Sequence, residues 1–247
     1  MRQLTELTWR EVREAGSGAI AVLPIGSQEQ HAAHLPMGTD TMLVEAVLDR
    51  AAGLLTGSPE LIRLPGLPFG HSQHHLFAAA VSLRPQTLHA VLLDVFDSLV
   101  TSGFRRVLVV NGHGGNEEMM RAAVKEFALR TDVAMGACSY WALDPADPGS
   151  SPGHAGWFET SLMYAVHPKL VRVPVAPRPA GPEPLFHRPP HPGLVVERYG
   201  EWARAGGATD DASQASADSG AELLAARARG LAEAIRSFDA ATSDSHG

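Results

Sequence analysis

A carboxylate and a histidine separated by one residue, Glu29 and His31, begin the part of the sequence that could do chemistry. In an extended segment, side chains at i and i+2 point the same way, so this pair could face one pocket. His34 and Asp40 follow within the next nine residues. Mixed oxygen and nitrogen donors suit zinc, manganese or iron, and a carboxylate such as Asp40 can bridge two ions. The alternative is that Asp40 only caps the following helix and the histidines are solvated.

The segment NGHGGN (111–116) places His113 between glycines. Glycine lets the backbone approach other groups closely and adopt positive φ, so His113 would be presented with little steric cover. A phosphate-binding loop would normally carry a lysine or arginine, which this segment does not. We therefore predict a ligand role for His113. The alternative is a simple strand–helix turn in which Asn116 caps the helix.

The segment HAGWFETS places His154 five residues before Glu159. The two side chains would lie about 140° apart if both were helical, so they share one site only if His154 precedes the helix. The alternative role for Glu159 is to stabilise the first turn of that helix through its dipole.

Strand and helix patterns alternate around these motifs. Apolar segments predict strands at 19–25, 105–110 and 132–141 and a short one within 61–75. Amphipathic spacing with start and stop residues predicts helices at 5–16, 41–55, 85–103, 116–130 and 221–238. This α/β alternation predicts a mainly parallel sheet covered by helices on both faces. Ligands bind at the carboxyl ends of such strands, where GSQEQH and NGHGGN both lie.

Composition narrows the class of protein. The 247 residues carry a formal charge of −7, which disfavours nucleic acid or an anionic membrane as partner. The single cysteine excludes an intrachain disulfide and a cysteine-rich zinc site. The charged N-terminal segment predicts no signal peptide, and no apolar run is long enough to span a bilayer, so we expect a cytoplasmic protein. The 12 histidines are the unusual feature, because histidine is the commonest metal ligand.

Residues 172–220 are rich in proline, glycine, alanine, serine and aspartate. This composition predicts an extended arm with a mobile acidic part near TDDASQASADS. Long segments of this kind are functional or disordered, so the arm is either a lid or oligomer contact, or a surface linker.

Four segments together resemble the creatininase family of metal-dependent hydrolases. They are LPIGSQEQHAAHLPMGTD, VVNGHGGN, CSYW and GHAGWFETS, in the family's order and at about its spacings, within residues 20–170. The resemblance implies one three-layer α/β/α domain over 1–247, with two divalent metal ions (zinc or manganese, with iron also allowed). It also implies hydrolysis of an amide-type C–N bond in a small-molecule substrate, and a homo-oligomer, commonly a hexamer.

The resemblance further implies roles for four of these residues. Glu29 and His113 correspond to ligands of one ion, and His31 corresponds to a ligand of the other. Asp40 corresponds to the carboxylate that bridges the two ions.

Creatininase has a further glutamate where this chain has Gly115. By the resemblance, Glu159 fills that coordination position or orients His154, which corresponds to the histidine that moves protons in the reaction. His34 and His74 fit positions that orient ligands or face the substrate.

The chain departs from the family pattern around the substrate. Creatininase carries a tryptophan four residues before its proton-handling histidine, and Ser150 stands at that position here. Trp141 matches the family's other aromatic residue. The loop that often reads EHxGFPGT is QHHLFAAA here, and HGPH is HAAH. We therefore expect Ser150 and Trp141 to contact a substrate other than creatinine.

Two other functions stay open at the level of sequence. The branch of the family that trims the mycofactocin precursor peptide has a similar length and a similar GHAGWFETS segment, which would make a short peptide the substrate. A non-catalytic metal-binding protein is the alternative of another class. Structural zinc sites are normally closed by four cysteine or histidine ligands, and the carboxylate-rich set disfavours that reading.

Overall fold

The computed structural model describes residues 1–57, 59–144, 152–178 and 181–243. Its centre is a five-stranded sheet in which every neighbouring pair is parallel. The strands are β1 (Arg2–Gln3), β2 (Ile20–Ile25), β3 (Leu61–Arg63), β4 (Arg106–Asn111) and β5 (Ala134–Ser139). The predicted parallel sheet is confirmed, and its central strands β2 and β4 are buried along their whole length.

The strand order is β1-β3-β2-β4-β5. The chain leaves β2 for β3 on one side and later returns to place β4 on the other side. The carboxyl ends of β2 and β4 therefore flank the point where the winding reverses, which is where open α/β sheets bind ligands.

Helices cover both faces of the sheet. The described residues form α1 (Trp9–Gly16), α2 (Thr39–Ala52), α3 (Pro85–Thr101), α4 (Glu117–Ala128), α5 (Trp157–Val166), α6 (Glu201–Arg204) and α7 (Ala217–Thr242). One layer contains α2, α5 and α7, and the other contains α1, α3 and α4. The expected three-layer α/β/α architecture is confirmed.

Alternating side chains of β2 build the two cores. Ile20 and Val22 pack against the layer of α2, α5 and α7. Ala21, Leu23 and Ile25 point the other way, into the layer of α1, α3 and α4. A strand alternates its side chains between faces, so a continuous apolar segment is what two covered faces require.

Local signals set the start of α1. Thr8 caps this helix through a reciprocal capping box of the Thr8 hydroxyl and the Glu11 carboxylate, so α1 begins at Trp9, four residues after the start of the predicted 5–16. Asn116 does not cap α4 with its side chain, so that alternative is wrong. The Asn116 amide instead donates to the Gly26 carbonyl, and its oxygen accepts from the His71 amide. Asn116 thus connects its own loop to the loops that contain Gly26 and His71.

The arm, residues 172–220, contains the short helix α6 and the beginning of α7. Helix α7 begins four residues before the predicted range 221–238 and ends four residues after it. The acidic part of the arm is tied to the site, because the buried Thr209 hydroxyl accepts a 2.7 Å hydrogen bond from the His154 amide. Within the described residues, no helix is both long and apolar enough to cross a membrane.

Candidate metal centre

The residues singled out by the motifs converge at the carboxyl ends of β2 and β4. Glu29 and His31 lie in the loop after β2, and His113 directly follows β4. Asp40 lies in the first turn of α2, which begins between these two strands' carboxyl ends. All four side chains are buried, with at most 4% exposed.

One set of donors contains Glu29, Asp40 and His113. Their ligand atoms all lie within 4.8 Å of one another. His113 Nε2 lies 3.2 Å from Glu29 Oε2, and His113 Nδ1 lies 3.2 Å from Asp40 Oδ2. Two carboxylates and one imidazole are a donor set that suits zinc or manganese.

A second set contains His31, Asp40 and Glu159, again within 4.8 Å of one another. His31 Nε2 lies 3.1 Å from Asp40 Oδ1 and 3.8 Å from Glu159 Oε2. His31 Nδ1 lies 3.1 Å from the Glu29 carbonyl oxygen. A bond from Nδ1–H to that carbonyl leaves Nε2 as the ligand atom. Asp40 belongs to both sets and presents one carboxylate oxygen to each.

Buried polar atoms without hydrogen-bond partners test whether cations fit here. Both carboxylate oxygens of Glu29, Asp40 Oδ2 and His75 Nε2 are buried and form no hydrogen bond, although each lies 3.2 Å from an oppositely charged or potentially charged neighbour in the cluster. Leaving such atoms unpaired costs about 1–3 kcal/mol each and more for charged groups. Four of them pointing into one cluster are explained by cations that these atoms would ligate, so the residues fit a metal centre.

The electrostatics agree with a site built for positive charge. Burial opposes the charge on His31, but Asp40 and Glu159 outweigh it and raise the pKa of His31 to about 10. Burial also opposes the charge on His113, and Glu29 and Asp40 raise its pKa to about 9. Burial raises the pKa of Glu159 to about 8. The cluster's carboxylates thus favour cations strongly, which is the electrostatic requirement of a metal site.

His75 and Gln30 are the residues that sequence reasoning missed. His75 is 1% exposed, and its Nε2 lies 3.2 Å from Glu29 Oε1. The Gln30 side-chain nitrogen lies 2.8 Å from His75 Nδ1, and the Gln30 main-chain carbonyl oxygen lies 2.8 Å from His154 Nε2. The doubled histidine in QHHLF was the available signal for His75. Two further donor sets share Glu29: Glu29, His74 and His75, and Glu29, His31 and His154.

His154 does precede its helix, as a shared site with Glu159 requires. Ala155, between His154 and α5, has a φ of +52°, which costs a non-glycine residue about 1 kcal/mol or more. The Ala155 amide donates a 2.6 Å hydrogen bond to Glu159 Oε2. The strained turn therefore brings His154 and Glu159 to one cluster and orients the Glu159 carboxylate.

Two glycines of NGHGGN allow close approach. A Cβ at Gly112 would lie 2.5 Å from the Asp40 carbonyl oxygen, and a Cβ at Gly115 would lie 2.5 Å from His113 Nε2. Positive φ is not the reason for these glycines, because neither has it. The His71 carbonyl oxygen and the His113 ring fill the space where a side chain of residue 115 would begin, and Glu159 approaches the cluster from α5 instead.

The residues predicted to face the substrate separate into three cases. His74 and Trp141 line a cavity of about 860 Å³ that opens onto Asp40 and His113. His34 is not among the described residues lining it, and its Nε2 lies 2.9 Å from the Thr160 hydroxyl of α5. Ser150 falls outside the described residues.

A sequence profile of the creatininase family, described as creatinine amidohydrolase, matches residues 5–235. The chain belongs to the creatininase family. Members of this family are metal-dependent hydrolases of amide-type C–N bonds, and the prediction that this chain is such an enzyme is confirmed at that level. The non-catalytic alternative is correspondingly disfavoured.

Two curated relatives represent two branches of the family. Creatinine amidohydrolase of Pseudomonas putida is 32% identical, over 94% of this chain and 95% of that protein. The mycofactocin precursor peptide peptidase of Mycobacterium ulcerans is 35% identical, over 61% of this chain and 59% of that protein. Similarity to the first therefore extends over much more of the chain than similarity to the second.

Solved creatininase structures share the fold. A glutamate-to-glutamine mutant complexed with creatine has a TM-score of 0.75 and 33% identity, and the match covers 96% of this chain and 98% of that one. The manganese form and a zinc–zinc form of such a mutant have TM-scores of 0.71 and 0.73 and identities of 31% and 32%. Each match covers 95% of this chain and 97% of the other.

Proposed function

We propose that this chain is a dinuclear metal-dependent amidohydrolase that cleaves an amide-type C–N bond in a small molecule such as a cyclic amide or a formamide. The observation that carries the proposal is the pair of buried donor sets that share Asp40. A carboxylate with one oxygen turned to each set is the arrangement expected of a bridging ligand between two ions.

Glu29, Asp40 and His113 would hold one ion, and His31, Asp40 and Glu159 would hold the other. Zinc and manganese are the proposed metals, since each set mixes carboxylates with imidazole, and iron fits the same donors. When bound, two such ions supply Lewis acidity that activates water and polarises a carbonyl group.

His154 is the proposed proton carrier. Its Nε2 lies 2.8 Å from the Gln30 main-chain carbonyl oxygen and 3.0 Å from the Gln30 side-chain nitrogen. We assign the tautomer in which Nε2–H donates to that carbonyl oxygen. Nδ1 then carries a lone pair, 3.5 Å from Glu29 Oε1. Burial, together with neighbouring histidines, holds the pKa of His154 well below its ordinary value, so the resting ring is neutral. In the proposed reaction Nδ1 would take a proton from the attacking water. It would pass that proton to the departing nitrogen, and Gln30 holds the ring in place for both steps.

A peptidase of the mycofactocin-precursor type is the second proposed function. The 35% identity to such an enzyme supports it. Similarity over 94% of the chain to an enzyme named for a small cyclic substrate favours the first proposal.

The test is a screen of zinc- and manganese-loaded protein against cyclic amides, formamides and short peptides. We expect hydrolysis that a chelator abolishes, with two ions per chain by elemental analysis. The Glu29→Gln variant serves as the blank, since it removes a donor while conserving shape. One tightly held ion whose removal unfolds the chain, with no turnover of any class, would refute the proposal. Turnover of peptides alone would select the second function.

We also propose a cytoplasmic homo-oligomer, a hexamer by resemblance to the family. Large exposed apolar side chains support association, among them Val195 at 91% and Tyr199 at full exposure. Light scattering of the purified protein tests this, and a monomer at micromolar concentration would contradict it.

A further inference from the structure

The arm places an aromatic side chain directly on the histidines of the site. The Trp202 ring of α6 lies 4.8 Å from the His74 ring, 4.6 Å from His75 and 5.7 Å from His154, measured between centroids. Phe186 stacks on Trp202 at 3.8 Å with an interplanar angle of 10°. Trp202 and Phe186 both line the cavity that opens onto the donor sets. The arm therefore supplies an aromatic wall beside the proposed reaction centre.

Charge and packing fix this wall. The Glu197 carboxylate interacts with the Trp202 side chain and also lines the cavity. Glu117 and Glu118 add two more carboxylates to the lining, whereas Arg121 is the one arginine among its described residues and lies 3.4 Å from Glu117. Around Trp202 and Phe186 the cavity lining thus combines aromatic side chains with an excess of carboxylates over arginine. Such a surface favours a planar group that is neutral or cationic and disfavours an anionic one.

We propose that Trp202, held by Phe186 and Glu197, is the specificity-determining wall of the substrate cavity and receives a planar, neutral or cationic part of the substrate beside the scissile amide. This inference rests on the proposed dinuclear site, because Trp202 can select the substrate only if the reaction takes place at that neighbouring site. A planar group that packs on the indole of Trp202 gains binding free energy from aromatic contact. A small aliphatic group covers too little of the indole to gain as much.

Two hydroxamates that share one metal-chelating group provide the test. Benzohydroxamate carries a planar ring and acetohydroxamate carries a methyl group, so the pair isolates the contribution of the ring. Calorimetric titration into zinc-loaded protein gives each dissociation constant. We expect Trp202→Ala to raise the dissociation constant of benzohydroxamate about 10-fold, which is the scale of one aromatic contact, and that of acetohydroxamate less than about twofold. Trp202→Phe should retain most of the preference for benzohydroxamate.

Trp9→Ala is the matched control, since Trp9 is 70% exposed on α1, on the layer that faces away from α5 and α7. It should change neither constant. Equal weakening of both hydroxamates by Trp202→Ala, or no weakening of either, would overturn the inference while leaving the metal centre intact. Wild-type protein that holds fewer than two zinc ions, or binds neither hydroxamate, would refute the dinuclear site and the inference with it.

Discussion

Replacing Asp40 by asparagine is the sharpest test of the shared-carboxylate geometry. Asp40 is 2% exposed, and its two oxygens face His31 and His113, which belong to different donor sets. The amide conserves the shape of the side chain but removes its charge and one oxygen. If Asp40 bridges two ions, this single substitution lowers the affinity for both ions, whereas loss of an unshared ligand lowers the affinity for only one.

The expected change in Tm follows from the thermodynamic linkage between zinc binding and folding. Removing partners that only orient metal ligands costs about 10–100-fold in metal affinity, so loss of a ligating carboxylate belongs at the upper end, about 100-fold per ion. At free zinc 100 times the dissociation constant, one ion stabilises the fold by about 2.7 kcal/mol, and a 100-fold weaker site keeps about 0.4 kcal/mol of that. Two ions together lose about 4.6 kcal/mol. For a chain of this size, the zinc-dependent rise in Tm should shrink by about 9–18 °C.

The assay compares Tm with and without zinc and counts bound zinc after gel filtration. Asp49→Asn is the matched control, because Asp49 lies on the same helix α2 with an exposed side chain, and its partner Arg63 keeps a second carboxylate, Glu45, at 3.0 Å. It should leave the zinc content and the zinc-dependent rise unchanged. An Asp40→Asn protein that still binds two ions at wild-type affinity would refute the ligand assignment. Loss of one ion with the second unaffected would refute the bridge.

Three further substitutions and one substrate extend the test. Glu159→Gln should lower zinc from two ions to one, because only the set containing His31 loses a donor; retention of both would restrict Glu159 to orienting the loop. His154→Ala should keep both ions yet lower kcat by about 100-fold or more, and near-normal turnover would remove it from proton transfer. Phe96→Ala, in the fully buried core where it packs edge-on against Phe127, should cost about 3–5 kcal/mol in urea unfolding without changing zinc content. Creatinine should have a kcat/KM about 10-fold or more below that of the best amide in the screen, because Ser150 replaces the tryptophan of creatininase; efficient turnover of creatinine would contradict this expectation.

The fold and the centre of the site were predictable because their signals are local. An apolar segment such as 20–25 reads as a buried strand wherever it sits, and Glu29 and His31 share a direction through backbone periodicity alone. Parallel strands place their carboxyl ends at one edge, so the loop after β2 and the loop after β4 had to meet there.

Other features depended on contacts between segments distant in the chain. Asn116 is a good capping residue by type, but the nearby Gly26 carbonyl and His71 amide provide buried partners, and satisfying those outweighs a cap. Its neighbour Gly115 looked suited to positive φ, yet the reason for glycine is crowding, because the His71 carbonyl oxygen and the His113 ring leave no room for a side chain there.

The sequence by itself determined the layer architecture and indicated Glu29, His31, Asp40 and His113 as candidate donors, because both follow from periodicity and short spacing. Tertiary structure decided which partners complete them. Gln30 meets His154 across 124 residues of chain, and Trp202 reaches His75 from the arm, which composition alone could describe only as extended. Contacts of this range depend on how packed layers orient the loops between them, and no local pattern encodes that.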